Sequence, residues 1–389
     1  MTEQSLPIRE EHSEDDRPLD VEHEEVDTDE EFEDYVKPWN PEDIRVTTKS
    51  FSIRNILDLV DDGDLDLAPD FQRLRVWKLK QKSQLIESII LQIPLPAFYF
   101  AEDRDGAMRV VDGLQRLSTI HDFVRGGNEK GFALEQLEYI DDIRGARFDA
   151  LAAPLKRRIN NTQIVAHVID PSTPPAVKYD IFRRINTGGT PLTAQEIRHC
   201  MSSARSRDFL RAQADTDLFR EATGRSLEHN NRMVDREVVL RFVAFSLMGD
   251  IEEYRKVGPM EDLLWKTTER LDNPSDLTDD DLAELHQALT RGLDLSLVVF
   301  GDHAFRKWPY DTERRNPFNR GLFETWVCCL AARDEAGVRK AAFEIAQSAR
   351  TLMTKDYDYL SAITSSTGDP SRVEYRFRAV DRLLDEVLA

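Results

Sequence analysis

Apolar residues recur at helical and strand spacing along most of the chain, and this pattern predicts the elements of the fold. Helices are predicted at Phe51–Val60, Gln81–Ile93 and Ala176–Ile185, and from Leu114 to Gly126. Strands are predicted at Phe98–Phe100, Met108–Val111 and Gln163–Ile169. The first two strands are joined around Asp105-Gly106, a dipeptide that is typical of hairpin turns.

Further along the chain the pattern becomes wholly helical. Thr193 and Glu196 have capping-box spacing and predict a helix that runs to about Ser203. Beyond it we find no convincing strand, and the periodicity predicts helices at Asp235–Met248, Met260–Leu271, Thr278–Phe300, Asn319–Ala332, Ala336–Thr354 and Val373–Leu388. We therefore predict an α+β domain at residues 44–202, followed by an all-helical domain at residues 203–389.

The net charge of −21 is concentrated at the N-terminus. Residues 1–44 hold 18 acidic residues against Arg9, Arg17 and Lys37, whereas the rest of the chain has 55 acidic and 49 basic residues. Repulsion between like charges and a low apolar content predict an acidic, disordered tail at residues 1–43. A solvated tail that aids solubility is the favoured interpretation. The alternative is a nucleic-acid mimic that occludes a basic groove of the same chain.

The remaining composition indicates a protein of a reducing compartment without a membrane partner. No apolar run approaches the roughly 18–20 residues that a membrane span needs, and the first residues lack the basic and apolar segments of a secretory signal. The three cysteines, Cys200, Cys328 and Cys329, form no paired framework and no C-x-x-C spacing. We predict buried thiols and a cytoplasmic location.

Three polar clusters of the first domain are candidates for chemistry: Asp70–Arg73, Asp112–Arg116 and Phe182–Asn186. The second has the strongest physical case, because it lies where a predicted strand turns into a predicted helix. Gly113 lets the backbone turn tightly where a side chain would clash. The first N–H groups of the following helix have no partner within the helix, and together they attract anions.

The side chains of this second cluster suit a phosphate site. Arg116 has a planar fork of donors for phosphate, Gln115 can donate and accept hydrogen bonds, and Ser118 and Thr119 add hydroxyl groups. Asp112 can hold a metal ion or orient Arg116. The structural alternative is a helix cap, with Asp112 as the N-cap and Arg116 in a surface ion pair, and from the motif alone the two readings are evenly balanced. Neither a Walker-type loop nor a G-x-G-x-x-G turn is present.

Two groups of basic residues predict contacts with DNA phosphates. The first group has Phe71 and Trp77 interleaved with it and consists of Arg73, Arg75, Lys78, Lys80 and Lys82. The second consists of Arg314, Arg315 and Arg320. A solvated surface remains the alternative for both groups.

A nuclease centre of the HNH type is a further hypothesis, because Asp302 and His303 are followed by Asn316 and Asn319. Such a site needs further ligands in a ββα frame, whereas the surrounding pattern predicts helices. We therefore favour a structural role for His303. The other histidines show no zinc-binding spacing.

Four segments in order resemble the N-terminal domain of GmrSD-type modification-dependent restriction systems. They read PDFQRLRVW, ESIILQIPLPAFYF, VVDGLQRLSTI and FRRINTGGTPLTAQEIR, and they span roughly residues 45–200. That domain is named for a DGQQR motif and is similar in fold to ParB and sulfiredoxin. The later segment FGDHAFRKWPYDTERRNPFNRGLFE resembles the C-terminal region of stand-alone members of the family.

The resemblance implies a nucleotide-binding, NTP-hydrolysing protein of restriction or anti-phage defence on an α+β, ParB/sulfiredoxin-like fold. Gln72 and Arg73 match its first polar motif, and Asn186 falls in its later F-x-x-x-N segment. Asp112, Gly113, Gln115 and Arg116 match DGQQR. On this basis the catalytic group is Asp112, Gln115 and Arg116, and the nucleotide-binding group is Gln72, Arg73, Gly113, Ser118, Thr119 and Asn186.

One departure from the family motif bears on turnover: Leu114 stands where the family has its first glutamine. If that glutamine positions the attacking water, hydrolysis can be lost while binding survives. The expected cofactors are an NTP and Mg²⁺, which nucleotide phosphates usually bring. The expected partners are DNA and an effector protein or a second copy of the chain. The alternatives are a non-hydrolysing, nucleotide-switched DNA-binding module and a metal-dependent nuclease.

Overall fold

The computed structural model describes residues 10–12, 18–23, 44–67, 77–102, 106–126, 131–185, 193–228, 232–312 and 314–389. The chain divides into two compact units. The sheet unit is Pro38–Met201, and the helical unit combines Met1–Lys37 with Ser202–Ala389. The division lies one residue before the boundary drawn from the sequence, and it assigns the acidic N-terminal segment to the helical unit.

Seven strands and sixteen α-helices occur in the described residues. The strands are β1 (Glu10–His12), β2 (Pro18–Glu22), β3 (Val46–Ser52), β4 (Leu65–Asp66), β5 (Phe98–Glu102), β6 (Met108–Asp112) and β7 (Gln163–Ile169). The helices of the sheet unit are α1 (Ile53–Asp61), α2 (Leu79–Ile90), α3 (Leu114–Arg125), α4 (Ala153–Asn161), α5 (Pro175–Ile185) and α6 (Ala194–Met201). Those of the helical unit are α7 (Ala204–Ala214), α8 (Asp217–Ala222), α9 (Val234–Ser246), α10 (Tyr254–Val257), α11 (Met260–Asp272), α12 (Asp279–Phe300), α13 (Arg320–Ala331), α14 (Glu335–Lys355), α15 (Tyr357–Ala362) and α16 (Pro370–Leu388).

The sheet unit is built on a mixed, five-stranded sheet in the order β3-β7-β5-β6-β4. β5 and β6 form the predicted antiparallel pair, whereas β7 runs parallel to β5 and antiparallel to β3. The cross-strand partners Phe100, Val110 and Val168 are buried on one face, and Tyr99 and His167 lie on the other face. This mixture of sheet and helices confirms the α+β class, and the likeness to ParB and sulfiredoxin stays a prediction.

The start of the sheet unit differs from the sequence-based prediction of a helix from Phe51. Phe51 and Ser52 belong to β3, and α1 begins at Ile53. Ser52 is the N-cap of this helix, since its side chain accepts a hydrogen bond of 3.2 Å from the N–H of Asn55. β3 is exposed and mostly polar, so no apolar period marks it, and its pairing with β7 at seven positions makes it a strand.

The helical unit has its core between long helices. Trp326 of α13 packs edge-on against Phe300 of α12, with ring centroids 4.8 Å apart. The helices predicted between residues 235 and 388 are confirmed to within a few residues, whereas the short α7, α8, α10 and α15 were not predicted. No helix of the described residues is long and apolar enough to cross a membrane.

The described part of the acidic N-terminal segment is ordered, in contrast to the disordered tail expected from composition. β1 and β2 pair with each other, and Val21 and Glu22 are buried. The main-chain N–H of Glu22 donates to the carbonyl of Phe318 over 2.8 Å. Composition overlooked this order because the cation that binds Glu22 lies 285 residues further along the chain. The other residues of 1–43 lie outside the described residues.

Candidate functional site

The turn between β6 and α3 depends on Gly113. This residue is the N-cap of α3 and has a φ of +96°, in the left-handed region that favours glycine. A Cβ atom at this position would lie 2.4 Å from Cδ1 of the buried Phe98 ring. Both the conformation and the space therefore require glycine. The structural alternative, with Asp112 as the N-cap, is wrong, because Gly113 occupies the N-cap position and no side chain caps this end of the helix.

Arg116 is bound within the turn rather than projecting from it. One guanidinium nitrogen, Nη2, donates to Oδ2 of Asp112 over 2.9 Å and to the carbonyl of Ala97 over 3.1 Å. The other, Nη1, donates to the carbonyl of Pro96. The guanidinium also stacks over Phe98, with its carbon 4.4 Å from the ring centroid.

The burial of Arg116 has an electrostatic consequence. Its side chain is only 13% exposed, and desolvation lowers the pKa of Arg116 although the neighbouring Asp112 acts in the opposite direction. The Asp112–Arg116 pair is therefore partly buried, in contrast to the surface ion pair of the structural alternative. Arg116 holds the start of β5 against the turn, so we assign it a positioning role.

The remaining side chains of the motif differ in their availability. Thr119 is 1% exposed, and its hydroxyl donates to the carbonyl of Gln115 over 2.7 Å, which gives it a role inside α3. Leu114 is buried. The Gln115 side chain is partly exposed and makes no hydrogen bond to any other described residue. Ser118 lies half-buried on the same helix, with a partner of its own.

A row of polar and aromatic side chains extends from the turn across the sheet. Asp112 is the cross-strand partner of Tyr99, Tyr99 of His167, and His167 of Thr48. Nδ1 of His167 lies 3.0 Å from the hydroxyl of Thr48, and the Tyr99 and His167 rings are 4.9 Å apart. Sequence reasoning missed this row, since its members come from four separate strands. Strand alternation was its only signal in the sequence.

The structure brings together only part of the predicted site. Gln72, Arg73, Arg75 and Asn186 lie outside the described residues. Of the lysines predicted to contact DNA, Lys78 and Lys80 are exposed at the start of α2. Lys82 differs from them, because it pairs with Asp122 over 3.2 Å and lies over the Phe132 ring. Its charge is therefore partly neutralised within the sheet unit.

The residues considered for an HNH centre have structural contacts. His303 stacks on Trp308 with ring centroids 4.2 Å apart, and the Asn316 amide donates to the carbonyl of Lys307 over 2.6 Å. Asn319 caps α13 by accepting from the N–H of Leu322 over 2.8 Å. Across the described ranges, no group of three or more side chains has the composition of a metal site.

The fold and the turn define the sheet unit as a small α+β domain with a glycine-dependent strand-to-helix turn. Residues 53–202 match the family model described as GmrSD restriction endonuclease, N-terminal domain. This match covers nearly the whole sheet unit, which is therefore a GmrSD-type N-terminal domain, as the four ordered motifs had indicated. A comparison with curated proteins found no match. A domain of this type indicates a restriction-type role in defence.

Proposed function

We propose that the sheet unit binds a nucleotide through its phosphates at the β6–α3 turn, and that the chain uses this nucleotide in restriction of foreign DNA. The observation that carries the proposal is the geometry of Gly113. Gly113 has a left-handed φ and no side chain of its own, and no side chain of the described residues caps the start of α3. The first N–H groups of a helix then face a ligand directly, where they and the helix dipole favour phosphate.

The roles of the charged pair follow from its contacts. Arg116 keeps the turn in place and supplies a positive field, while its donors to Asp112, Pro96 and Ala97 are already used. Gln115 is the side chain of the motif best placed to contact the ligand, because it is partly exposed and has no hydrogen-bond partner among the described residues. In this proposal Gln115, rather than Arg116, makes the direct hydrogen bond to the bound phosphate.

The residues also fit a Mg²⁺ ion that is shared with the nucleotide. Oδ2 of Asp112 is engaged by Arg116, but the side chain is 35% exposed and its Oδ1 atom has no partner in the described part of the chain. Mg²⁺ commonly binds through one or two carboxylates together with substrate phosphates. Asp112 would hold the ion through Oδ1, and the ion would neutralise phosphate charge.

The presence of Leu114 at the position of the family's first glutamine is a weaker argument against hydrolysis than the sequence implied. Leu114 is buried, so a glutamine at this position would face the interior rather than the bound phosphate. Turnover would then depend on Gln115 to orient water and on the positive end of α3 to stabilise charge.

A second candidate is nucleotide binding without turnover, as a switch for DNA binding. It is favoured by the contacts of Arg116, whose guanidinium is held by a carboxylate and two carbonyls. With three of its five N–H donors committed to these groups, the arginine has less capacity to bind a transferring phosphate directly. The exposed Lys78 and Lys80 would contribute DNA contacts in either case.

The test is a binding and phosphate-release screen with all four NTPs, with and without DNA and Mg²⁺. We expect binding of at least one NTP, weakened about tenfold by Gln115→Ala, which corresponds to the loss of about one hydrogen bond to a charged group. Gln163→Ala, an exposed glutamine at the start of β7, is the matched control and should leave binding unchanged.

The outcomes separate the candidates. Phosphate release that falls with Gln115→Ala supports hydrolysis, and nucleotide-dependent DNA retention without release supports the switch. Failure of every NTP to bind would refute both. Plasmid nicking that requires Mg²⁺ and is lost in Asp112→Asn would instead indicate a nuclease.

A further inference from the structure

The helical unit contains a cluster of buried cations whose counter-ions come from the acidic N-terminal segment. We call this cluster the cationic pocket; it consists of three cations, Arg306, Lys307 and Arg320, and the neutral amide of Asn319, all less than 10% exposed. The carboxylates that fill it belong to Asp20 and Glu22 of β2 and to Glu11 of β1. The paired residues lie 285 to 309 positions apart along the chain.

Asp20 makes a bidentate contact with Arg306. Nη1 and Nη2 of Arg306 donate to Oδ1 and Oδ2 of Asp20 over 3.1 and 3.0 Å, and the hydroxyl of Ser226 donates to Oδ2 over 2.6 Å. Asp20 has a φ of +55°, in the left-handed region that a non-glycine residue seldom adopts. The backbone therefore accepts strain while the carboxylate binds in the pocket.

Glu22 enters more deeply. Its carboxylate accepts from Nζ of Lys307 over 2.5 Å and from Nδ2 of Asn319 over 2.9 Å, and only 4% of the residue is exposed. Asp20 and Glu22 are two residues apart, and both of their carboxylates bind in the cationic pocket. Val21 faces the other way and is buried in the apolar core.

The pocket depends on these carboxylates electrostatically. A buried cation is unfavourable unless an anion pairs with it. Apart from Asp20, the groups that accept hydrogen bonds from Arg306 are neutral: the carbonyls of Asn316 and Thr223 and the hydroxyl of Ser226. Withdrawal of β2 would thus uncover an electropositive site, although Glu237, whose Oε1 lies 3.8 Å from Nε of Arg320, and Asp302, whose charge acts on Arg306, would stay beside it. A new anion would take the place of the carboxylates of Asp20 and Glu22.

The walls and rim of the pocket suit phosphate as well as carboxylate. The planar fork of arginine binds both groups through two parallel hydrogen bonds. Arg315 lies at the rim with its Nη1 atom 3.6 Å from Oδ2 of Asp20, and 42% of its side chain is exposed. The neighbouring Arg314 is exposed as well. These two residues extend the positive surface outward from the pocket.

We propose that the cationic pocket is a second phosphate-binding site, and that the chain covers it with its own acidic strand, whose carboxylates occupy the positions of phosphate groups. The ligand carries phosphate groups, either in a DNA backbone or in a free nucleotide. The proposal is independent of the β6–α3 turn, because every residue it uses lies in the helical unit.

The first experiment compares three forms of the full chain in low salt. Asp20→Asn/Glu22→Gln removes the two carboxylate charges, and Asp280→Asn/Glu284→Gln makes the same change of net charge at exposed positions of α12. Binding of a labelled DNA duplex is measured by anisotropy, and ATP and inorganic pyrophosphate are tested as competitors. We expect at least tenfold tighter phosphate binding in the first variant only, with a steep salt dependence, and reversal when Arg306→Gln is added.

The probes distinguish the sources of phosphate. Gain of binding for DNA assigns a backbone ligand, and gain for ATP or pyrophosphate alone assigns a free nucleotide; both support the proposal. Equal binding by the two double variants would overturn it. Binding of a peptide with the sequence of residues 16–24, without binding of any phosphate probe, would also overturn it and would identify a peptide groove.

A second measurement on the unaltered protein covers the case in which the variant does not fold. In hydrogen exchange, the N–H of Glu22 and the N–H of Phe318 should be protected, because they donate to Phe318 and Asp20 over 2.8 and 2.9 Å. Excess of the phosphate probe should displace β2 and increase exchange at both amides at least tenfold. Unchanged protection at saturating probe would refute the proposal.

Discussion

The β6–α3 turn of the sheet unit and the cationic pocket of the helical unit both hold an arginine against an aspartate, but over different separations along the chain. Asp112 and Arg116 are four residues apart, on adjoining elements. Asp20 and Arg306 are 286 residues apart. The first pair shapes a local turn, whereas the second attaches the N-terminus to the body of the helical unit.

The comparison also concerns burial. The two aspartates are similarly exposed, Asp112 at 35% and Asp20 at 39%, so the difference lies in the arginines: Arg116 is 13% exposed and Arg306 is 1% exposed. The more exposed pair should contribute less, about 1 kcal/mol or below. Arg306 and Lys307 are almost fully buried, and removing one partner of a buried pair costs more, because the other charge is left uncompensated. Long-range pairs in this protein should therefore matter more for stability than local ones.

The largest effect is expected for the buried network in the core of the helical unit. Glu324 lies between Arg241 and Arg376 and is inaccessible to solvent. Glu324→Gln should lower the free energy of unfolding by about 3–5 kcal/mol, measured by urea denaturation with tryptophan fluorescence. Glu344→Gln, at an exposed position of α14, is the control. An equal effect of the two changes would contradict the importance of burial.

Gly113→Ala should have the next largest effect, and it tests the local region. Gly113 and Gly63 have similar φ values of +96° and +84°, but only at Gly113 would a Cβ atom meet another side chain. Gly113→Ala should therefore destabilise the sheet unit by about 1–3 kcal/mol more than Gly63→Ala, the cost of an overpacked site. Thermal unfolding measures this difference, and a Gly63→Ala effect as large as that of Gly113→Ala would refute the steric argument.

The two aspartates can be compared directly. Asp20→Asn should lower the stability of the helical unit by about 1–3 kcal/mol, because it weakens the bidentate contact with Arg306. Asp112→Asn should cost the sheet unit about 1 kcal/mol or less. Urea titrations of both variants at the same salt concentration check the order. A larger cost for Asp112→Asn would reverse the comparison.

The smallest effect is a dependence on pH within the sheet unit. Burial of Glu87 acts to raise the pKa of its carboxyl, but hydrogen bonds from the N–H groups of Glu138, Tyr139 and Ile140 lower it overall. The pKa of Glu87 in the folded protein lies below its unfolded value. The stabilisation of the folded protein by this carboxylate is therefore present above about pH 4.5 and is lost as the pH falls through the folded pKa.

Thermal unfolding of the wild type and of Glu87→Gln measures this effect. The scans cover about pH 3 to about pH 7, a range that brackets the ordinary pKa of glutamate. The difference in melting temperature between the two proteins should shrink toward the acid end. A constant difference across the range would show that the Glu87 charge does not stabilise the loop at residues 138–140. Glu284→Gln, exposed on α12, is the matched control.

Local patterns predicted most of the fold and, within the candidate site, the strand-to-helix turn. Apolar periodicity gave α2, α3 and the long helices of the helical unit, and the dipeptide Asp112-Gly113 marked the strand-to-helix turn. Thr193 and Glu196 form the expected capping box, with N–H contacts of 2.6 and 3.1 Å. In each case the contacts that stabilise the element join residues close in sequence, so the pattern of neighbouring residues was sufficient.

Some conclusions from the sequence depended on contacts that no local pattern contains. Arg116 was expected to reach outward to a phosphate, but the carbonyls of Pro96 and Ala97 bind it within the turn. β3 carries polar residues and becomes a strand through β7. The nucleotide-binding roles of Gln72, Arg73 and Asn186 stay predictions.

By itself, the sequence determined the class of the fold, the position of its principal turn and the restriction-type family of the sheet unit, because these depend on periodicity and on short motifs. Tertiary structure alone decided the direction of Arg116 and the order of the acidic N-terminal segment. The physical reason is the same in both cases. A charged side chain is placed by the groups that replace its water, and for Arg116, Asp20 and Glu22 most of those groups come from distant parts of the chain.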